Sequence, residues 1–307
     1  MKAAFIFSGQ GDQYPGMGKE LYDQYEIIRD TFEQASNVLN YDMAELCFTE
    51  NDRLDLTEYT QPAILTVSIA SLRLLKEKGI EPDAAAGLSL GEYSALVASG
   101  ALDFTTAVDL VAKRGKYMAE AAPADSSKMV AVMKAPLATI EEACQKASAY
   151  GVVSPANYNT PQQIVIGGEK AAVDYVVDLL TEAGVRRMVP LNVSGPFHTK
   201  LLEPAAKQLK ATLQDVTFGE MQIPVVSNTT AKVMQQDEIK HLLELQVKSP
   251  VRFYESVATL KELGIERVIE VGPGKTIASF MKKIDKSMKT TRISDLKTLQ
   301  ETTDLFS

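Results

Sequence analysis

The sequence predicts an α/β fold that carries a compact insert. Three observations point there. An apolar run at 84–87 enters the turn Gly87-Leu88-Ser89-Leu90-Gly91 and leaves as a helix-compatible run at 92–98, the strand–turn–helix context of a nucleophile elbow. On either side of the insert, apolar runs of strand length alternate with helical segments. Between 128 and 192 the order changes to strand, helix, strand, strand, helix, strand.

The chain has 307 residues, enough for one large domain with a smaller insert. Its hydrophobic fraction of 45% and charged fraction of 23% are ordinary for a water-soluble protein. A net charge of −8 argues against a general nucleic-acid binder, which is usually basic. No run reaches the roughly 18 apolar residues that would span a bilayer. The opening "MKAAFIFSGQG" has too short an apolar run for a secretory leader and reads as a first buried strand. Cys47 and Cys144 have no paired spacing, which favours a reducing compartment and packing roles. With only His198 and His241, a histidine-rich zinc centre is not expected, and no metal site is predicted.

Taken in order, 3–7 is a buried strand followed by "SGQGDQYPGMG". The dinucleotide fingerprint fails there, because Tyr14 holds the third glycine position. The stretch is either a plain loop or a turn whose backbone N–H groups face an anion, with the Gln10 N–H as an oxyanion donor. Residues 20–39 predict one helix. A second, buried helix follows with Pro62 in its first turn, periodic to Leu75 and closed by Gly79.

At the elbow, glycines on both sides of Ser89 leave room for a sharp turn. The helix that follows points its positive end at the serine, and the Leu90 N–H can help bind an oxyanion. The alternative is a tight turn with an incidental serine. Asp103 caps a helix running to about Ala121, and Arg114 falls on the apolar stripe of Ala107, Leu110, Val111 and Met118. A guanidinium on such a stripe either snorkels or pairs with a protein carboxylate, or else it binds a substrate carboxylate bidentately.

The insert reads strand 129–133, helix 137–149, strand 152–156, strand 164–167, helix 171–183 and strand 186–191, a ferredoxin-like order. "APADSS" and "NVSGPFHT" mark its ends. Placed after the elbow helices, it would roof a cleft. His198 lies at that junction, before a helix at 200–213, and is the candidate base; His241 sits on a polar helix and reads as a surface residue. Beyond it come a strand at 223–227, helices at 238–247 and 251–263, a strand at 267–271, and a helix entered through "GPGKT". That turn lacks the earlier glycine of a P-loop, since Ile269 stands there. Residues from 296 onward read as a tail.

The ordered stretches "FIFSGQG", "TQPA", "GLSLGEYSALVASGAL", "VAKRGKYM", "YNTP", "VSGPFHT" and "EVGPGK" resemble the bacterial malonyl-CoA:acyl-carrier-protein transacylases of type II fatty-acid synthesis over nearly the whole length. The resemblance implies an α/β-hydrolase-like large subdomain with a parallel sheet (1–126 and 195–307) and an inserted ferredoxin-like βαββαβ small subdomain (127–194). It implies Ser89 as nucleophile, His198 as base, and Arg114 as the group that holds the malonyl carboxylate. Gln10 and Leu90 become the backbone oxyanion donors. The main-chain carbonyl of Gln246 orients the histidine in place of a triad aspartate. Gln61, Met118 and Asn159 line the acyl pocket, and the bulk of Phe197 would disfavour branched units. The family commonly has histidine before the nucleophile, where this chain has Leu88.

The activity implied is a two-step acyl transfer through a malonyl-serine, with malonyl-CoA as substrate and CoA as product. A phosphopantetheinylated acyl carrier protein is the acceptor. No bound cofactor, nucleic acid or membrane is expected, and the protein would be a cytoplasmic monomer. Arg186, Arg187, Lys207 and Lys210 are candidates for carrier contact, or else scattered solvated charges. A serine hydrolase or thioesterase shares the elbow and base but needs no arginine on an apolar face. A non-catalytic docking protein would need neither Ser89 nor His198.

Overall fold

The computed structural model describes residues 1–121, 124–193 and 195–306. The chain begins with β1 (Ala3–Phe7), α1 (Lys19–Gln24), α2 (Glu26–Leu39), α3 (Met43–Phe48), α4 (Thr57–Glu77), β2 (Ala84–Gly87), α5 (Gly91–Ala98) and α6 (Phe104–Ala121). All five residues of β1 are buried, as in a strand covered on both faces. Phe5 and Phe7 face one core, while Ala4 and Ile6 face the other. The helix expected over 20–39 is broken at Tyr25, whose extended backbone separates α1 from α2. Asp42 caps the unanticipated α3 by accepting from the Glu45 N–H. Because α4 begins at Thr57, Pro62 lies one turn deeper than its sequence position suggested.

The segment expected to be an insert contains β3 (Ser127–Met133), α7 (Leu137–Ala147), β4 (Val153–Thr160), β5 (Gln163–Glu169), α8 (Lys170–Glu182) and β6 (Arg187–Pro190). Its strands form an antiparallel sheet in the order β4-β5-β3-β6. Alternation along β3 decides which way this sheet faces. Val130 and Val132 pack with Ile140 and Val173 under α7 and α8, whereas Met129 and Ala131 join the main core. The edge strand β4 runs on to Thr160 through two register shifts and tolerates Pro155.

The chain returns through α9 (Glu203–Gln214), α10 (Ile239–Lys248), α11 (Phe253–Glu262), β7 (Arg267–Val271), α12 (Thr276–Ile284), β8 (Lys289–Ile293) and α13 (Leu296–Asp304). The large sheet is parallel, in the order β2-β1-β7-β8. Two expectations are corrected here. Residues 223–227 form no continuous strand; Val225 and Val226 make only isolated bridges, to Ala85 and Val233. Nor is 296 onward a tail, since Asp295 caps α13, which packs on the edge strand β8. Among the described residues no helix is long and apolar enough to cross a membrane.

Candidate active site

The carboxyl ends of neighbouring parallel strands β1 and β2 bring two loops together, the usual place for a site in an open α/β sheet. Glycines let the two backbones touch. A Cβ on Gly9 would strike the carbonyl oxygen of Leu88, one on Gly91 would strike that of Phe7, and one on Gly87 would strike the backbone of Gly91. The turn leaves Ser89 at φ 53, in the left-handed region that a non-glycine residue occupies only when held there. Among the described residues, neither the Gln10 nor the Leu90 N–H has a backbone acceptor. The Gln10 side chain is tied to Thr57 Oγ1 at 3.0 Å.

Ser89 Oγ lies 2.7 Å from His198 Nε2. On the other side of the ring, Nδ1 lies 2.8 Å from the main-chain oxygen of Gln246. A carbonyl only accepts, so Nδ1 carries the proton and Nε2 is left to accept from the serine. Burial, and then the Arg114 charge, lower the His198 pKa to about 4, so the imidazole is neutral at pH 7. His198 itself has φ 61 and is buried, its N–H donating to Val247 at 3.2 Å.

Arg114 is 1% exposed. Its Nη1 donates to Gln61 Oε1 at 2.7 Å, and its Nη2 donates to Ser89 Oγ at 3.2 Å and Gln246 Oε1 at 2.9 Å. The guanidinium also lies over the Tyr93 ring at 5.3 Å. Among the described residues, no carboxylate comes within ion-pair distance of it. The reading in which it pairs with a protein carboxylate is therefore not met. Gln61 is held in turn by its Nε2, which donates to Met118 Sδ at 3.5 Å.

These groups open into one cavity of about 850 Å³. Ser89, His198, Arg114, Gln10, Leu90, Gln61, Met118, Asn159 and Phe197 all line it. Met129, Asn157 and Val165, from the strands of the antiparallel sheet, line it as well. Gln246 is outside the lining but bonds to His198, Arg114 and Ser89, which are in it. Leu88 also reaches the cavity, presenting an alkyl group to it.

Sequence reasoning missed three groups. The side chain of Gln246, beyond its carbonyl, donates to the Ser89 carbonyl at 2.9 Å. Asn228 accepts from the Ser89 N–H at 2.7 Å. Glu92, on the helix after the elbow, is fully buried; desolvation pushes its pKa up to about 7. Only the apolar setting of Glu92 in "LGEYSALVA" could have flagged one of them, because the other contacts span more than a hundred residues of chain.

Residues 4–301 match the family described as the acyl transferase domain, which defines the class of this α/β protein. The chain is 44% identical over 302 residues to the malonyl CoA-acyl carrier protein transacylase of Bacillus subtilis, covering 97% of this chain and 95% of the relative. Its structure superposes on the MCAT of Streptococcus pneumoniae with a TM-score of 0.97 at 59% identity, over 99% of this chain and 100% of the other. A malonyl-transacylase solved in complex with a type II PKS acyl-carrier protein superposes with a TM-score of 0.96 at 38% identity, over 99% of this chain and 100% of that one. Within the acyl transferases, the chain belongs to the family of malonyl CoA-acyl carrier protein transacylases.

Proposed function

We propose that this protein moves a malonyl group from malonyl-CoA to the phosphopantetheine thiol of an acyl carrier protein, supplying extender units for fatty-acid synthesis. The observation that carries the reading is a buried guanidinium with no carboxylate partner among the described residues, 3.2 Å from the hydroxyl of an elbow serine. A malonyl thioester brings the missing carboxylate on the acyl group that the serine must attack.

Ser89 Oγ attacks the thioester carbon while His198 Nε2 takes its proton. The oxyanion lies on the Gln10 and Leu90 N–H groups. The C–S bond then breaks, and the proton on His198 leaves with CoA. In the second half, His198 takes the proton of the carrier's thiol, the thiolate attacks the malonyl ester, and the proton returns to Ser89. Ser89, His198 and the two thiols carry every proton and electron pair, so no resident cofactor is called for. Gln246 orients the ring through its carbonyl, while Gln61 and Met118 seat the arginine. Asn159 and Phe197 bound the acyl space.

We read 1–126 with 195–307 as an α/β-hydrolase-like catalytic subdomain, and 127–194 as an inserted ferredoxin-like one. The βαββαβ order and the sheet order β4-β5-β3-β6 support the second reading. The carrier would approach the insert, where Arg186 and Arg187 are exposed; Lys210 is already paired with Glu244 at 3.2 Å. A cytoplasmic monomer suits a reaction between soluble partners. The test is intact-mass analysis after incubation with malonyl-CoA. A malonyl adduct that Ser89→Ala abolishes, and that holo carrier protein discharges onto itself, is the expected result. Hydrolysis to free malonate with no malonyl-carrier product favours the thioesterase reading.

A further inference from the structure

We infer that Asn228 is a positioning residue for the nucleophile, clasping the elbow so that Ser89 keeps its strained backbone. The inference deepens the acyl-transfer reading and rests on it only for the identity of the acyl group. Asn228 is fully buried, and each of its four polar groups is committed. Its Oδ1 accepts from the Ser89 N–H at 2.7 Å, and its Nδ2 donates to the Gly87 carbonyl at 2.7 Å. One amide thus closes both ends of the turn that holds the serine at φ 53. The Asn228 backbone is fixed from two further elements. Its N–H donates to Glu92 Oε2 at 2.6 Å, and its carbonyl accepts from the Arg252 N–H at 2.9 Å.

The arrangement sorts the amides around the serine. The Ser89 N–H is taken by Asn228 and cannot serve an oxyanion, whereas the Leu90 N–H is left for one. A left-handed non-glycine residue is strained and persists only where its surroundings over-determine it. Two hydrogen bonds from a buried amide are of the size to hold it. Gln246 Nε2, donating to the Ser89 carbonyl at 2.9 Å, holds the same residue from the third side.

The test reads the serine without malonyl-CoA, by the rate at which a fluorophosphonate labels Ser89. In that step the Oγ–P bond forms, the P–F bond breaks, and the hydroxyl proton passes to His198 as fluoride leaves. Asn228→Ala, checked by thermal melt for folding, is expected to lower the maximal labelling rate about 10- to 100-fold, with half-saturation within about 2-fold of wild type. Asn228→Asp is the second variant. Protonated, the new carboxyl replaces both bonds; ionised, it sets an anion against the Gly87 carbonyl. Of the titratable groups, Glu92 from α5 is bonded to the residue's own N–H, while Arg114 from α6 and the neutral His198 ring are bonded to the Ser89 hydroxyl on the turn it clasps. Its labelling rate is therefore expected to be slow at pH 8 and to recover toward wild type as pH falls to about 5.5, while wild type changes little. Labelling by folded Asn228→Ala at the wild-type rate, or no recovery of Asn228→Asp at low pH, overturns the inference. Wild type that labels with the probe but forms no malonyl adduct counts against the malonyl reading and leaves the clasp standing.

Discussion

His198 Nδ1 donates to the main-chain oxygen of Gln246 at 2.8 Å, so a peptide dipole orients the imidazole, and among the described residues no carboxylate stands behind it. A carboxylate would raise the ring's proton affinity. Here burial and the Arg114 charge lower it to about 4. The proposed base is thus neutral at pH 7 but weak, which suits the proposed dyad, whose attacking groups would include an acidic thiol.

The acid limb of Ser89 acylation should then lie near pH 4, well below the ordinary histidine value of 6.5. Arg114→Ala removes one of the two causes and should move that limb upward, while burial keeps it short of 6.5. Stability follows the same sign. The folded imidazole binds its proton less readily than the unfolded one, so its contribution is full above pH 6.5 and is lost as pH falls toward 4. The pH dependence of kcat/KM in wild type and variant checks the first statement; an acid limb at 6.5 in wild type refutes it.

Gly9 meets the Leu88 carbonyl so closely that a methyl group cannot be added without moving one of the two loops. The Gln10 and Leu90 amides sit on those loops. Gly9→Ala should therefore cost as much as losing one oxyanion donor, about 10²–10³ in acylation rate. Substrate half-saturation should change little. A rate within a few-fold of wild type in a folded variant would mean that the two amides do not act as a pair.

Glu92 is buried beneath the elbow with its pKa raised to about 7 by desolvation, so the folded state holds the neutral form more readily than the unfolded state. The favourable contribution is present below pH 4.5 and is lost as pH rises through 7, amounting to about 3 kcal/mol. Glu92→Gln keeps an acceptor for the Asn228 N–H and removes this dependence. Its melting temperature relative to wild type should rise between pH 5 and about pH 7 and then level off. A difference that stays constant with pH would place the charge elsewhere.

The sequence made Ser89 legible as the proposed nucleophile because an elbow is a local object, written in five consecutive residues. Arg114 was legible because helical spacing sets a charge on an apolar stripe, and His198 because the chain holds only one other histidine. The strand β8 was not, since it is a partly exposed edge strand, "KTTRI", without apolar alternation. The single helix expected at 20–39 failed because nothing in the pattern announces the break at Tyr25. Asn228 and the Gln246 side chain escaped for a different reason. Each acts on a residue that only tertiary folding brings near, and a lone polar residue in a loop carries no periodic signal.

The central claim is that Arg114 chooses the acyl group by its carboxylate. The measurement is the ratio of malonyl to acetyl acylation of Ser89 from the two CoA thioesters, in wild type and in Arg114→Ala. Truncating one partner of a buried charge pair costs about 2–5 kcal/mol. The ratio should therefore collapse by at least about 30-fold, with acetyl transfer holding or rising while malonyl transfer falls. A ratio unchanged by the substitution, with both rates lowered alike, would contradict the account.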